Sequence, residues 1–359
     1  MVRNAYGDPA GELTAKLGKR KVAASPETLV CYAFDATNIR CLPDAVVFPE
    51  TADDVRTAMG VAAAAGLPVI PRGAGTGFAG GTVPVKGGLV ISTERLNRII
   101  NIDVERRTAA VEPGVVNSVL QSEVAKSGLM FPPDPSSLEV CTIGGNVAQD
   151  AGGPRAVKYG VTRDYVLGVE AVLWDGRTVE AGFSRDACKF YNPLLSLFIG
   201  SEGTLGMMTA IMVALVPIPE SFATALAFFR HMEAAAEGVN AVFAAGVLPA
   251  AIELMDSTTM GAVKEFVDVD VPPGAGCALL VETDGRGEEA GQAMAEIEKS
   301  LRKCDMISMR SATGEEERAE LWKMRRSISP SLALIASHKV NEDVCVPRSA
   351  LARLARAVT

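Results

Sequence analysis

Two glycine-dense stretches constrain this chain more than anything else in it: residues 71–81, PRGAGTGFAGG, and residues 142–160, TIGGNVAQDAGGPRAVKYG. Five of the eleven residues in the first are glycine. A backbone without Cβ atoms turns sharply, takes positive φ, and can bring its N–H groups against a bound anion. One such stretch alone is as often an ordinary surface loop. Two that both mix Gly with Thr, Asn and Arg point to an anion site, and a pyrophosphate is the anion that suits them best.

The flanks decide what kind of site this is. Thr51 followed by Asp54 gives a capping-box helix start. The helix runs over Val55, Met59, Ala62 and Ala63 and ends at Gly66. Short strands at 45–48 and 69–70 frame it, so the first glycine stretch leaves the end of a β-α-β unit. Gly75, Gly77 and Gly80 formally spell GxGxxG. That fingerprint works only where the loop opens a helix whose N-terminus faces the phosphates. Here Pro84, Gly87 and Gly88 lead into a strand at 89–92 instead, so no helix starts. No acidic ribose-binding residue is clearly placed after it. A nicotinamide Rossmann fold is therefore rejected, and the loop is expected to wrap phosphates with its own amides.

Residues 1 to 40 read as helical and loop segments leading into the core. After the first glycine stretch come a hairpin, 99–103 with 108–112, and a helix over Val119, Val124 and Ala125 that stops at Gly128. Pro132, Pro133, Asp134 and Pro135 make a rigid loop. Beyond the second stretch, 166–174 and 178–181 form a hairpin through Asp175-Gly176. A hydrophobic strand at 207–216 follows, and Pro217 and Pro219 mark a domain boundary. Strands at 222–229, 251–255, 278–282 and 306–309 alternate with helices at 232–245 and 288–302. That order is ferredoxin-like, with helices on one face of an antiparallel sheet. A helix from 315 to about 328, a strand near 339–346 and a final helix complete the pattern.

With 359 residues and 48% hydrophobic content, two domains with sizeable cores are expected. A net charge of −8 argues against nucleic acid as a partner. Cys31, Cys41, Cys141, Cys188, Cys277, Cys304 and Cys345 are scattered without a CxxC pair, which fits a reduced compartment. The two histidines, His231 and His338, lack metal-ligand spacing. No signal peptide and no transmembrane segment are read. The expectation is a cytoplasmic protein, with association at the inner face of the membrane left open.

PRGAGTGFAGG, FPPDPSS, TIGGNVAQDAGGPRAVKYGVTRD and LFIGSEGTLG, in this order and spacing, resemble the FAD-linked oxidases of the vanillyl-alcohol oxidase class. The resemblance is strongest to the branch of the D-type glycolate oxidase subunits and the D-lactate dehydrogenases. It implies an α+β architecture: a lead-in over 1–40, a PCMH-type FAD-binding domain of two subdomains over 41–219, and a C-terminally truncated ferredoxin-like cap domain over 220–359. It implies that Pro71, Arg72, Gly73, Ala74, Gly75, Thr76, Gly77, Gly80 and Gly81 hold the FAD phosphates. Pro133, Asp134, Thr142, Gly144, Gly145, Asn146, Gly152, Gly153 and Tyr159 would line the adenine, ribose and flavin path, with Glu202 and Gly206 closing it. Relatives that attach FAD covalently often carry a histidine where Thr76 stands, which implies non-covalent FAD. A second departure is Phe190-Tyr191-Asn192-Pro193, where relatives tend to have Gly-Tyr-Asp or Gly-Tyr-Asn.

Oxidising a 2-hydroxy acid needs a cation for the carboxylate, a base for the hydroxyl proton and a hydride acceptor. Trp322, Arg325 and Ser329 fall on one face of a helix, with a solvated basic stripe as the alternative reading. The resemblance aligns Arg325 with the carboxylate-binding arginine and Lys339 with a residue reaching the same group; Ser329 ranks third. The base stays unassigned. In the family, a HxGDGNxH motif and a later Glu-His pair bind a divalent metal and position the proton acceptor. Neither occurs in this sequence, hence the expectation of a truncated chain. The implied activity is FAD-dependent oxidation of a small 2-hydroxy acid, of the glycolate or D-lactate class. Electrons would pass to an acceptor protein or quinone, an iron–sulfur subunit among the candidates. The rivals are a non-catalytic flavin-binding subunit and a non-flavin sugar-nucleotide enzyme.

Overall fold

The computed structural model of the protein describes residues 8–182, 193–263, 270–336, 340 and 343–358. The chain forms two compact units: residues 1–153 with 161–218, and residues 154–160 with 219–359.

The first unit begins with α1 (Pro9–Leu17), whose Asp8 cap accepts from the Gly11 amide at 2.9 Å, and β1 (Val22–Ala23). Next come α2 (Pro26–Cys31), β2 (Ala45–Val47), α3 (Ala52–Ala65), β3 (Val69–Arg72) and β4 (Leu89–Ser92). The sheet order is β1-β2-β4-β3, with β4 parallel to both β2 and β3. Side chains of α1 and α3 cover one face of this sheet; Leu29 and Tyr32 pack against the other. Burial on both faces explains why Ala45–Val47 and Leu89–Ile91 are unbroken apolar runs rather than alternating ones. The capping box of α3 forms as expected between Thr51 and Asp54, and Gly66 ends the helix at φ 65°.

A hairpin of β5 (Ile99–Asp103) and β6 (Thr108–Val111) follows, then α4 (Asn117–Ala125) and β7 (Leu129–Met130). The second glycine stretch differs from the first. Rather than forming a second loop, it folds into α5 (Ile143–Gln149), and α6 (Ala156–Tyr159) lies in the segment belonging to the other unit. Thr142 starts α5 by accepting from the Gly145 amide at 3.2 Å. Gly144 costs helix propensity, yet a Cβ there would lie 2.6 Å from Pro113 Cβ, so close approach dictates glycine. β8 (Val166–Leu173), β9 (Thr178–Gly182), α7 (Pro193–Phe198), β10 (Gly206–Ala214) and β11 (Val216–Pro217) complete the unit. The second sheet is antiparallel in the order β5-β6-β10-β8-β9, while β11 pairs with β7. Val172 and Met207 from this sheet enter the core around α3, so one helix serves both sheets.

The second unit contains β12 (Ser221–Phe229), α8 (Met232–Ala244), β13 (Ala251–Asp256) and α9 (Ser257–Val263). β14 (Cys277–Gly285), α10 (Glu289–Leu301) and β15 (Met306–Ser311) follow. The antiparallel order β13-β14-β12-β15 is the ferredoxin-like order. The two expected helices, α8 and α10, share one face, and the opposite face is covered as well. α8 and α10 cover Ala225, Ala227 and Phe229, while Leu226 and Phe228 on the opposite face pack with Met260 and Val263 of α9 and with Leu321, Trp322 and Met324. Those last three residues belong to α11 (Glu315–Arg326), followed by α12 (Ile328–Ile335) and α13 (Leu351–Val358). The single helix expected to reach residue 328 is thus two, because Pro330 has no N–H for the Arg326 carbonyl. Residues 343–347 form no strand, contrary to expectation, and the Lys339 end of that expected strand lies outside the described residues.

Candidate functional site: a glycine-lined cleft

The loop after β3 and the N-terminal turn of α5 meet directly. A Cβ on Gly73 would lie 2.5 Å from Thr142 Oγ1 and 3.8 Å from Gly145 Cα. Around this junction lies a partly open cleft with a cavity of about 170 Å³. Residues 71–77, Gly81, Thr142, Gly144, Gly145, Asn146, Glu202 and Gly206 line it, so most of the residues expected to hold FAD converge. Gly80, Pro133, Asp134, Gly152, Gly153 and Tyr159 are not among the lining residues. Gly153 touches Asp134, since its Cβ would lie 2.4 Å from Oδ1, and the Pro133 carbonyl accepts from Asn117 Nδ2 at 3.1 Å.

The two glycine stretches contribute different chemistry. In the first turn of α5 the amides are already taken: Ile143 donates to Val115 O, Gly144 to Pro113 O and Gly145 to Thr142 Oγ1. In the loop, the amides of Ala74, Gly75, Thr76 and Gly77 make no hydrogen bond among the described residues. These residues are half-buried, and four free donors in succession along a cleft form a concave anion cradle. Gly75 sits at φ 70°, and its Cβ would lie 2.3 Å from Arg72 Nη2.

Arg72 supports that cradle from beneath. It is buried, its Nη1 donates to Phe34 O at 2.7 Å and Thr82 Oγ1 at 3.3 Å, and its guanidinium lies over the Tyr32 ring. Burial lowers its pKa, against the pull of Tyr32, Asp35 and Glu94. On the opposite wall, the Glu202 amide donates to Ala148 O at 2.8 Å, fixing the GSEGTLG segment against α5. Glu202 adopts φ 52°, a left-handed conformation uncommon for glutamate and typical of functional loops. Sequence reasoning missed Asp35, Thr82, Thr93 and Gln149, which also line the cleft. Thr93 was findable: it follows the carboxyl end of β4, where α/β sheets place ligands. The Cys141 thiol in the wall is pushed up by burial and is therefore unreactive.

The cleft passes the test of fit for a dinucleotide on two counts. Its loop amides from Ala74 to Gly77 lack acceptors, and two buried polar side-chain atoms in its wall, Thr93 Oγ1 and Asn146 Nδ2, have no hydrogen-bond partner, among the described residues. Asn146 exerts only a minor pull on the Cys141 thiol.

An FAD binding domain family matches residues 43–182, and the C-terminal domain of FAD linked oxidases matches residues 218–359. The glycolate oxidase subunit GlcD of Bacillus subtilis is 40% identical over 330 residues, covering 91% of this chain and 70% of that protein. This chain belongs to the FAD-linked oxidases. The Escherichia coli K12 subunit GlcD is 34% identical, covering 92% of this chain and 66% of that protein. A D-lactate dehydrogenase of Archaeoglobus fulgidus is 34% identical, covering 89% and 72%. The chain thus spans from about two thirds to seven tenths of these FAD-linked oxidases' length. Among solved structures, an alkyldihydroxyacetonephosphate synthase superposes with TM-score 0.80 at 20% identity, covering 99% of this chain and 74% of that one. p-Cresol methylhydroxylase superposes with TM-score 0.74 at 18% identity, covering 91% and 70%. Both share the fold.

In the second unit of this FAD-linked oxidase the structure describes two of the three expected substrate residues. Arg325 is ion-paired with Glu253 at 2.5 Å. Ser329 lies on the first turn of α12, past the Ser327 junction with α11. Lys339 lies outside the described residues. The strongest polar cluster surrounds β14. Glu282, fully buried, accepts from Trp322 Nε1 at 2.6 Å, Thr224 Oγ1 at 2.8 Å and Arg318 Nε at 2.9 Å, with Arg155 Nη2 at 3.6 Å. Burial pushes its carboxyl up, but the Arg318 hydrogen bond and charge, with Trp322 and Arg155, outweigh it and hold the pKa low. Two residues on, Asp284 accepts from Tyr159 Oη at 2.6 Å and pairs with Lys158. Tyr159 therefore fastens its own segment to β14. Among the described residues, no group of three or more His, Cys, Asp and Glu could hold a metal ion, and no helix is long and apolar enough to cross a membrane.

Proposed function

We propose that this chain binds FAD non-covalently in the glycine cleft and oxidises a small 2-hydroxy acid, of the glycolate or D-lactate class, to the 2-oxo acid. The observation that carries the cofactor half is the run of unpartnered amides from Ala74 to Gly77. Those amides would hold the pyrophosphate, Arg72 would keep the loop in shape from below, and Glu202 and Gly206 would close the far wall. When bound, the flavin supplies the hydride acceptor. Thr76 offers no imidazole for covalent attachment, so acid precipitation should release all the flavin into the supernatant.

The substrate half rests on the names of the relatives, GlcD and D-lactate dehydrogenase, and on Arg325. Its planar fork matches a carboxylate. A substrate carboxylate meets Arg325 in competition with Glu253, which already occupies it. Ser329 and Lys339 are the supporting candidates. The two GlcD names are those of subunits, which supports assembly with other subunits. We propose that electrons leave to such a partner, an iron–sulfur subunit, or to a quinone, and that the protein works in the cytoplasm at the inner face of the membrane. The second reading, a flavin-binding subunit without turnover of its own, is favoured by the Arg325–Glu253 pair. Anaerobic addition of glycolate or D-lactate to the flavin-loaded protein decides between them. Bleaching of the flavin band supports the oxidase; a band that stays oxidised supports the second reading.

A further inference from the structure

Thr93 is a polar side chain that the fold holds in place and leaves without a partner. It opens the 3₁₀ turn Thr93–Arg95, directly after β4, where Ser92 lies in register with Arg72 at the start of the glycine loop. Its own carbonyl is fixed from two sides. The Leu96 amide donates to it at 2.8 Å, and Gly114 approaches so closely that a Cβ there would lie 2.0 Å away. The side chain is buried, its Oγ1 has no hydrogen-bond partner among the described residues, and the residue lines the same cleft as the unpartnered loop amides.

A buried hydroxyl without a partner weakens a fold, and such groups are rare in native proteins. Its position on a rigid turn, at the carboxyl end of a parallel strand, is where ligands meet α/β sheets. We propose that Thr93 is a cofactor-positioning residue whose hydroxyl is satisfied only by a polar atom of the bound flavin dinucleotide. This rests on the FAD reading above. It adds a contact outside both glycine stretches and makes an unusual demand: the hydroxyl should do nothing for the empty protein.

The test uses the full chain stripped of flavin, titrated with FAD while flavin fluorescence is followed, together with thermal unfolding of the empty and loaded forms. Thr93→Val, which keeps the shape and removes the hydroxyl, is expected to weaken FAD binding by about 5-fold to 100-fold. The empty variant should melt at or above the wild-type temperature, because an unsatisfied group has been removed. Thr93→Ser should restore most of the affinity. Wild-type affinity in Thr93→Val would overturn the proposal and assign the hydroxyl to a buried water. A lower melting temperature of empty Thr93→Val would also overturn it, since the hydroxyl would then have a protein partner. Failure of the wild-type chain to bind FAD would sink the cofactor reading itself, and this proposal with it.

Discussion

The glycine cleft of the first unit and the β14 cluster of the second are both concentrations of buried polar groups, and they are built on opposite principles. In the cleft the unpartnered groups are neutral: successive loop amides, a threonine hydroxyl and an asparagine amide, without a hydrogen-bond partner among the described residues. In the β14 cluster the groups are charged. Glu282 is ringed by Trp322, Thr224, Arg318 and Arg155, and Asp284 by Tyr159 and Lys158. Buried charge is tolerable only with partners in place, so the cluster belongs to the empty fold. Unpartnered neutral donors are tolerable because the cleft is open and something else completes them. Polarity alone does not mark a binding site; polarity without partners does.

The largest expected effect comes from breaking the satisfied region. Glu282→Ala leaves Arg318 and Arg155 without their acid and should cost about 3–5 kcal/mol in urea unfolding. A loss below about 1 kcal/mol would mean that the cluster contributes no more than a surface pair. Gly75→Ala attacks the unsatisfied region. A left-handed φ costs a non-glycine residue about 1–3 kcal/mol, so FAD affinity should fall by about 5-fold to 150-fold. Unchanged affinity would show that the loop does not bind in the conformation seen.

Acid separates the two regions further. The Glu282 pKa is lower in the folded state than the ordinary 4.5. Its contribution to stability is therefore fully present above about pH 4.5 and is lost as pH falls through the depressed folded value. Melting temperatures of the wild type should drop more steeply below that pH than those of Glu282→Gln; parallel curves would remove Glu282 from the account. The smallest effect concerns Glu202. Glu202→Gly relieves a left-handed glutamate and should raise the stability of the empty chain by about 1 kcal/mol, since about 1–3 kcal/mol of relieved strain is offset by about 0.4–1 kcal/mol for the freer unfolded chain. A lower melting temperature of the empty variant would show that the glutamate side chain stabilises the loop.

The parts legible in the sequence were those fixed by neighbours along the chain. The Thr51–Asp54 capping box, the Gly66 stop, the Asp175-Gly176 hairpin and the strand–helix alternation after Pro219 each need only a few adjacent residues. The loop at 71–81 was legible because its glycines have few other uses. What the sequence hid depends on distant approach. Helix α5 forms through a Gly-Gly pair because Pro113 leaves no room for a side chain. The engagement of Arg325 by Glu253 spans more than seventy positions. Glu282 read as the end of an apolar strand, and nothing near it announces Arg155, which arrives from the second glycine stretch.

That arrival has a consequence for how such a protein can be divided or recombined. Residues 154–160 are threaded out of the first unit and held by Glu282 and Asp284 through Arg155, Lys158 and Tyr159. A fragment cut at Ile218 would carry a cationic heptapeptide severed from its acids. A chimera that joined the front of one relative to the back of another would match only if positions 155, 158 and 159 travelled with 282 and 284. The peptide boundary between the family's two halves is one bond, whereas the unit of inheritance is interleaved.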